Sequence, residues 1–293
     1  MNELDCIFIT NDDGISEGLK SLITYLHNYN IPLLVVVPSV NKSASSMAIT
    51  LREKMRLSRK TSLEAELKKG NTALSIFTLN GTPTDCSLFV DFAKGTELLG
   101  NLNPVFAISG INHGANLSHD VLHSGTVGAA RQTSMNGLPS MASSFCDYLG
   151  SDISDAAKLT SEICKNMWDL KNHSDLLEDS FFSGKLFLNL NIPKKWNGVI
   201  KYSTLGIRDY ENALVIESID SLLESDVSFD GPNIVEENVE GTDVANVNSG
   251  YASISIIPTW PYSHLRYPDK VTLKELESIS SLNQISWIKY QSR

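Results

Sequence analysis

The first half of the chain alternates short apolar runs with segments of helical periodicity. Mainly apolar runs occupy residues 7–10, 33–37, 76–79 and 105–108, and leucine and isoleucine recur at helical spacing over about residues 16–29. An uninterrupted apolar run is typical of a strand that is covered on both faces, as in a parallel sheet. Strands that alternate with helices imply right-handed crossovers. The pattern predicts an α/β fold with a mainly parallel sheet flanked by helices.

The second half has a less regular pattern. Residues 217–240 carry eight acidic side chains, which is typical of a solvent-exposed excursion. The other elements that the pattern predicts are a helix near residues 156–170, strands at 186–191 and 251–257, a helix at 274–282 and an apolar tail at 285–290.

The length of 293 residues fits one large domain. We predict a single domain over residues 1–293, with a core of about 1–215 and a protruding element of about 216–293 that serves self-association.

Composition narrows the class of partner. A formal net charge of -10 argues against a stable nucleic-acid partner, because such proteins neutralise phosphates with a basic surface. No apolar run is long enough for a membrane span, and the first residues lack the pattern of a signal peptide. Together with scattered cysteines that form no CxxC pair, this predicts a cytoplasmic protein with reduced thiols at Cys6, Cys86, Cys146 and Cys164.

The first candidate site is Asn11-Asp12-Asp13-Gly14, directly after the first predicted strand. Ligands of open parallel sheets bind outside the carboxyl ends of the strands. Two carboxylates at such an end can converge on a cation, and hard oxygen ligands suit Mg, Mn or Ca. The alternative is a turn followed by a helix N-cap, which Asn, Asp and Gly also favour.

Two further loops follow predicted strands. The loop at 38–46 offers hydroxyl groups and a lysine, and its alternative interpretation is an ordinary polar loop. The loop after residue 108 offers the amides of Asn112 and Asn116. It leads to a predicted helix start whose free N–H groups suit a phosphate, or which is a plain N-cap, at Ser124-Gly125-Thr126.

Three histidines fall within eleven residues, at His113, His119 and His123. Imidazole suits transition metals, so a three-histidine metal site is one interpretation. No carboxylate or thiolate partner accompanies them at the usual spacing. The other interpretation is a single histidine that lines a pocket near a leaving group.

These segments together resemble the SurE family, the survival-protein-E 5′/3′-nucleotidases. The matching stretches are residues 9–15 (Ile-Thr-Asn-Asp-Asp-Gly-Ile), 37–43, 80–86 (Asn-Gly-Thr-Pro-Thr-Asp-Cys), 109–117, 120–127 and 137–139. Weaker matches follow at 188–193, 204–208, 241–243 and 250–251. Their order and spacing carry the resemblance, and no single motif would.

The resemblance implies a Rossmann-like core with a C-terminal extension that builds dimers or tetramers. It also implies hydrolysis of nucleoside monophosphates with one divalent cation, Mg or Mn. Carried over by position, the metal ligands are Asp12, Asp13, Ser43 and Asn112. The phosphate side comprises Asn116, Ser124, Gly125 and Thr126. Asp120 matches a position implicated in activity, and His264 is the nearest match to a C-terminal histidine of the family.

Phosphate-monoester hydrolysis requires a very large barrier reduction, and few groups here look like strong nucleophiles. Metal catalysis is therefore expected, with Asp120 handling a proton and His264 or His123 protonating the leaving group. One rival is a phosphatase with an aspartyl nucleophile, whose two Asp residues stand two apart; here Asn11 stands two before Asp13. Another is a metal-dependent nucleotide-binding sensor without turnover. A Rossmann dehydrogenase is disfavoured, since no G-x-G-x-x-G follows the first strand.

Overall fold

The structure is a computed structural model that describes residues 3–147, 151–170, 181, 183–219 and 224–270. Its strands are β1 (Leu4–Thr10), β2 (Leu33–Pro38), β3 (Leu57–Arg59), β4 (Leu74–Leu79), β5 (Leu102–His113), β6 (Ser140–Cys146), β7 (Leu186–Pro193), β8 (Ile200–Tyr202), β9 (Ile207–Glu211), β10 (Leu214–Ile219), β11 (Ser225–Phe229), β12 (Asn233–Glu237) and β13 (Ala252–Pro258). Its helices are α1 (Glu17–His27), α2 (Thr61–Leu67), α3 (Pro83–Phe92), α4 (Asp120–His123), α5 (Gly125–Met135), α6 (Ser154–Leu170) and α7 (Asp243–Asn248).

The main sheet has nine strands within the described residues, in the order β3-β4-β2-β1-β5-β6-β7-β13-β8. The six strands from β4 to β7 run parallel to one another. β3 is antiparallel to β4 at one edge, and β13 is antiparallel to β7 near the other. The predicted α/β fold, a mainly parallel sheet flanked by helices, is confirmed.

Alternate side chains of the central strands enter two separate cores. Ile7 and Ile9 of β1 belong to the core under α1 and α6, whereas Cys6 and Phe8 belong to the core on the opposite face, under α3. All four are fully buried. A strand with a core on each face needs apolar residues at consecutive positions, which explains the uninterrupted runs in the sequence.

The described part of the protruding element is smaller than predicted. The acidic stretch forms two-stranded sheets, β10 with β11 and β12 with β9, that stand apart from the main sheet. α7 and β13 return to the core instead, because β13 is a buried apolar strand that pairs with β7. The chain therefore re-enters the core beyond the predicted boundary at 215. The helix predicted at 274–282 and the tail at 285–290 lie outside the described residues.

Among the described helices, none is both long enough and apolar enough to cross a membrane.

Candidate active site

The turn after β1 is braced by Asn11 rather than by the acidic residues. The Asn11 side chain donates to the Gly14 carbonyl at 2.8 Å and accepts from the Gly14 N–H at 2.9 Å. Gly14 has a φ of 74°, and a Cβ there would lie 2.9 Å from the Pro38 carbonyl oxygen. Ser16 is the N-cap of α1. Asn11 and Gly14 form the turn, and Ser16 caps the helix. Neither Asp12 nor Asp13 therefore serves as the turn or N-cap residue, which was the alternative interpretation of this segment.

Asp12 is buried and bound by the start of α5. Its Oδ1 accepts from the Thr126 hydroxyl at 2.5 Å, and its Oδ2 accepts from the Thr126 N–H at 3.1 Å. Burial raises the pKa of Asp12 to about 6, the Thr126 hydroxyl opposes that rise, and the neighbouring charge of Asp13 adds to it. The first and third candidate loops are thus in direct contact through this carboxylate.

Asp13 has an oxygen without a hydrogen-bond partner. Its Oδ1 accepts from the Asn41 amide at 2.9 Å, whereas its Oδ2 is buried and unpartnered. The pKa of Asp13 is raised by burial, although the backbone N–H and the charge of His113 lower it, as does the Asn41 amide. An ionised, partly buried carboxylate with a spare oxygen is unfavourable unless positive groups offset it.

The second loop reaches this carboxylate through Asn41. The side-chain Oδ1 of Asn41 accepts from the Ser43 N–H at 3.0 Å and from the Ser43 hydroxyl at 2.8 Å. The Lys42 N–H donates to the Asp12 backbone carbonyl at 2.7 Å. Ser43 is therefore held two hydrogen bonds away from Asp13, and Asn41 is a site residue that the sequence argument did not single out.

The third loop places its two asparagines differently. Asn112 directly precedes His113, whose backbone N–H lies by Asp13, and its own amide nitrogen donates to the Gly114 carbonyl at 3.0 Å. Asn116 is turned into the sheet, where its side-chain amide donates to the Ser144 hydroxyl at 2.7 Å. The structure thus brings Asn112 close to the carboxylate pair, and it commits the Asn116 amide nitrogen to β6.

The start of α5 packs against both other loops. Ser124 caps the helix by accepting from the Val127 N–H at 3.1 Å. A Cβ on Gly125 would lie 2.6 Å from the Ser45 hydroxyl and 3.0 Å from the Asp12 Cβ. The Ser45 hydroxyl is buried without a partner. Since Thr126 is committed to Asp12, the polar groups left for an anion here are those of Ser124, Gly125 and Ser45.

The donor set fits a hard divalent cation. Two carboxylates with raised pKa values lie beside hydroxyl and amide oxygens, and one carboxylate oxygen lacks a partner. Such oxygen ligands suit Mg or Mn. In the part of the chain that the structure describes, no three His, Cys, Asp or Glu side chains form a metal-binding group. The three-histidine interpretation is therefore wrong, although the ring centroids of His119 and His123 lie 6.0 Å apart.

Asp120 is an ion-paired residue with both oxygens occupied. Its Oδ1 accepts from the Tyr210 hydroxyl at 2.7 Å, and its Oδ2 accepts from Arg208 at 3.0 Å and from the Leu117 N–H at 3.2 Å. The side chains of Asp120 and Arg208 are only 10% and 12% exposed. The structure offers no support for the predicted proton-handling role, because hydrogen-bond donors occupy both oxygens of the Asp120 carboxylate.

His264 lies at the opposite ends of the parallel strands from the carboxylate pair. β13 runs antiparallel to β7, from Ser253 opposite Asn191 to Pro258 opposite Leu186, and His264 follows that end. From Leu186 to Asn191, five residues along β7, the strand spans about 17 Å. There the His264 ring stacks on Trp260, with ring centroids 4.2 Å apart. Within this chain, the structure does not bring His264 to the carboxylate pair.

Several residues around the site escaped the sequence argument. Asn189 and Asn191 of β7 both donate to the Asn116 carbonyl, at 2.9 and 3.0 Å. A signal existed, because two asparagines in an otherwise apolar buried strand must find polar partners. Arg208 falls within the weak family match at 204–208 and Tyr210 outside it, and neither could be paired with Asp120, which is 88 and 90 residues away along the chain.

Known proteins are similar to this chain in both sequence and fold. The model of the family "Survival protein SurE" matches residues 7–212. A 5′-nucleotidase SurE of Alkaliphilus metalliredigens is 32% identical over 256 residues, covering 86% of this chain and 91% of that protein. Another, of Caldanaerobacter subterraneus subsp. tengcongensis, is 32% identical over 275 residues, covering 93% and 96%. The crystal structure of the SurE protein from Aquifex aeolicus has a TM-score of 0.65 and 26% identity, covering 95% of this chain and 100% of that chain. The chain belongs to the SurE family.

Proposed function

We propose that this chain is a divalent-metal-dependent nucleotidase that hydrolyses nucleoside monophosphates to nucleoside and phosphate. The observation that carries the proposal is the adjacent pair of the buried Asp12 and the partly buried Asp13, with one unpartnered oxygen, at the carboxyl ends of the parallel strands. The curated relatives named 5′-nucleotidase SurE support the reaction class.

The metal would be held by Asp12, Asp13, Ser43 and Asn112. When bound, a Mg or Mn ion supplies charge neutralisation for phosphate oxygens and lowers the pKa of a bound water. Thr126 fixes the orientation of the Asp12 carboxylate through both of its donors. Asn41 does the same for Asp13 and Ser43. Partners of this kind orient metal ligands and are a large part of a metal site's affinity.

The phosphate would bind at the start of α5, between that helix and the second loop. Ser124, Gly125 and the unpartnered Ser45 hydroxyl meet there, next to Asp12. The N–H groups of Thr126 and Val127 bond to Asp12 and Ser124, so the Gly125 N–H with the Ser124 and Ser45 hydroxyls would be the donors for an anion at this helix start. The backbone N–H of Ser46 donates to the His123 carbonyl at 2.9 Å, which fixes the second loop against this helix start. These contacts fix the position of the proposed phosphate-binding groups relative to the two carboxylates.

His123 is our assignment for protonation of the leaving group. It ends α4, is exposed, and directly precedes Ser124. The two other candidates are committed elsewhere: Asp120 to Arg208, and His264 to the opposite edge of the sheet.

An aspartyl-nucleophile mechanism fits the loop less well. Asn11 occupies the position two before Asp13, and both ends of its side chain bind Gly14. No second carboxylate therefore stands at the spacing that this mechanism uses. A nucleotide sensor without turnover would use the same groups, and no specific observation favours it.

The proposal is tested by phosphate release from a panel of nucleoside monophosphates with Mg, Mn, Co, Ca, Zn or EDTA. We expect release that requires a divalent cation and is abolished in Asp12→Asn and Asp13→Asn. Asp155→Asn, an exposed position on α6, is the matched control and should retain activity. Turnover in EDTA, or in both site variants, would refute metal catalysis. Tight nucleotide binding with no release under any metal would establish the sensor.

We also propose that the protein forms a homodimer or homotetramer through the hairpins of β9–β12. Their strands carry exposed apolar side chains that no described residue covers, including Ile216 and Phe229, which are 56% and 83% exposed. Exposed apolar patches of this kind mark protein interfaces. A second copy is the expected occupant. Phe229→Asp should lower the molar mass measured by light scattering, whereas the exposed control Phe92→Asp, on α3, should not.

A further inference from the structure

Two motifs from the sequence, at residues 204–208 and 241–243, have no role in the mechanism above. The structure joins them into one unit. The Asp243 N–H donates to the Thr204 carbonyl at 2.8 Å, and the Gly206 N–H donates to Asp243 Oδ1 at 2.7 Å. This unit lies at the base of the β9–β12 hairpin. We call Gly206, Arg208, Tyr210 and Asp243 the clamp.

The clamp holds the loop that runs from Asn116 to Thr126, here called the phosphate segment. Its first contact is with Ser118. The Ser118 hydroxyl donates to the Gly206 carbonyl at 2.8 Å, and the Ser118 N–H donates to Asp243 Oδ2 at 2.9 Å. Ser118 has a φ of 53°, so the loop adopts a conformation at this residue that needs support from its surroundings.

The second contact of the clamp is with Asp120. Arg208 and the Tyr210 hydroxyl each bind one oxygen of its carboxylate. Burial raises the pKa of Tyr210, and its hydrogen bond to Asp120 raises it further, so Tyr210 stays a neutral O–H donor. Charge-assisted hydrogen bonds between partly buried partners are stronger and more directional than neutral ones.

Asp120 passes this restraint to both ends of the phosphate segment. Its Oδ2 accepts from the Leu117 N–H, next to Asn116, and its backbone carbonyl accepts from the Ser124 N–H at 2.9 Å. Two residues beyond Ser124, Thr126 binds the Asp12 carboxylate. Hydrogen bonds, joined by the two-residue step of chain from Ser124 to Thr126, therefore connect the base of β9 and β12 with the proposed metal ligands.

We infer that Arg208 and Tyr210 are positioning residues, which act through Asp120 to fix the phosphate segment relative to the Asp12–Asp13 pair. The inference rests on the proposed nucleotidase function. It makes the hairpin base part of the active site, and it gives Asp120 a role in activity that requires no proton transfer. Small displacements of groups that orient a substrate are costly, with losses of about 100-fold for roughly 1 Å.

The test compares kcat and KM for AMP hydrolysis with Mg²⁺ in Tyr210→Phe and Arg208→Met. Tyr210→Phe removes one hydroxyl and keeps the ring, so we expect kcat to fall about tenfold, and Arg208→Met should cost about 100-fold. Arg208→Lys should recover part of the latter loss. The pH profile of kcat should keep its shape in every variant, because positioning residues change the geometry of the site and transfer no proton. In an Asp120→Asn background, Tyr210→Phe should add little, since Tyr210 acts only through that carboxylate.

Asp209→Asn is the matched control. Asp209 lies between Arg208 and Tyr210 on β9 and is exposed. Its kcat should stay close to that of the wild type. Wild-type kcat in both Tyr210→Phe and Arg208→Met, or an equal loss in Asp209→Asn, would overturn the inference while leaving the nucleotidase intact. A wild-type protein that releases no phosphate would refute the proposed function first.

Discussion

Two acidic positions at the same edge of the sheet differ in how their oxygens are satisfied. Asp120 accepts three hydrogen bonds, one of them from a guanidinium group, and both oxygens are used. Asp13 accepts from Asn41 through one oxygen, and its other oxygen is buried without a partner. The first arrangement stabilises the fold. The second is unfavourable for the isolated chain, and a bound cation would offset it. The unpartnered oxygen distinguishes Asp13 from Asp120. Asp12 is assigned as a ligand by its place beside Asp13, since Thr126 donates to both of its oxygens.

The largest effect that tests this contrast is expected at Asp13. Asp13→Asn removes a charged ligand, so activity should fall by at least about 10³-fold. The same change removes a buried carboxylate whose pKa is raised by burial, so stability without metal should stay equal or increase. Phosphate release and urea unfolding in EDTA measure the two effects. A variant that loses both activity and stability would show that Asp13 is a structural acid like Asp120.

The opposite outcome is expected at Asp120. Asp120→Asn leaves Arg208 with only Glu236 and replaces a charged acceptor, so unfolding free energy should fall by roughly 2–4 kcal/mol. Urea unfolding at neutral pH measures this loss. Asp91→Asn, which breaks the surface pair with Lys94, is a control that should change stability little. Equal losses in the two variants would mean that the buried pair contributes no more than a surface one.

The sequence predicted the strands whose patterns are continuous and missed those that have none. β1 and β2 are covered on both faces, so their apolar runs identify them. β6 is just as central in the sheet, but its sequence, Ser-Met-Ala-Ser-Ser-Phe-Cys, has no apolar run. Its small side chains are buried between α5 and α6, where Ser140 donates to the Ala130 carbonyl and the Ser143 hydroxyl bonds to that of Thr160. That tight fit depends on tertiary contacts that no local pattern encodes.

For the site, local position was predictable and long-range pairing was not. Asp12, Asp13 and Asn112 could be placed at the same ends of the parallel strands because each follows a predicted apolar run, although β5 continues beyond its run to His113 and includes Asn112. The direction of β13 could not be read from its apolar pattern, and its antiparallel course carries His264 to the far edge. The pairing of Asp120 with Arg208 joins positions 88 residues apart, for which spacing gives no signal.

Metal binding should separate the two acids more cleanly than activity does. A ligand that binds only the folded state at 100 times its Kd stabilises it by about 2.7 kcal/mol. Mg²⁺ or Mn²⁺ should therefore raise the Tm of the wild type and of Asp120→Asn, and it should leave the Tm of Asp13→Asn unchanged. Thermal unfolding with and without EDTA measures the shifts. A metal-dependent rise in Asp13→Asn would place the cation elsewhere.

The smallest effect is expected at His27, a buried base at the C-terminal end of α1. His27 is buried, its Nδ1 accepts from the Lys69 N–H at 3.2 Å, and its Nε2 has no partner. Burial lowers its pKa from 6.5, and the charges of Lys69 and Lys68 lower it further. Below pH 6.5 the unfolded chain therefore takes up a proton that the folded chain does not, and stability should fall as the pH drops through that value. His27→Asn keeps an acceptor near the Nδ1 position but cannot be protonated, so its unfolding free energy should lose this part of the pH dependence. Urea unfolding of both proteins between pH 7.5 and 5.5 measures the difference, and parallel curves would show that the imidazole is protonated equally in both states.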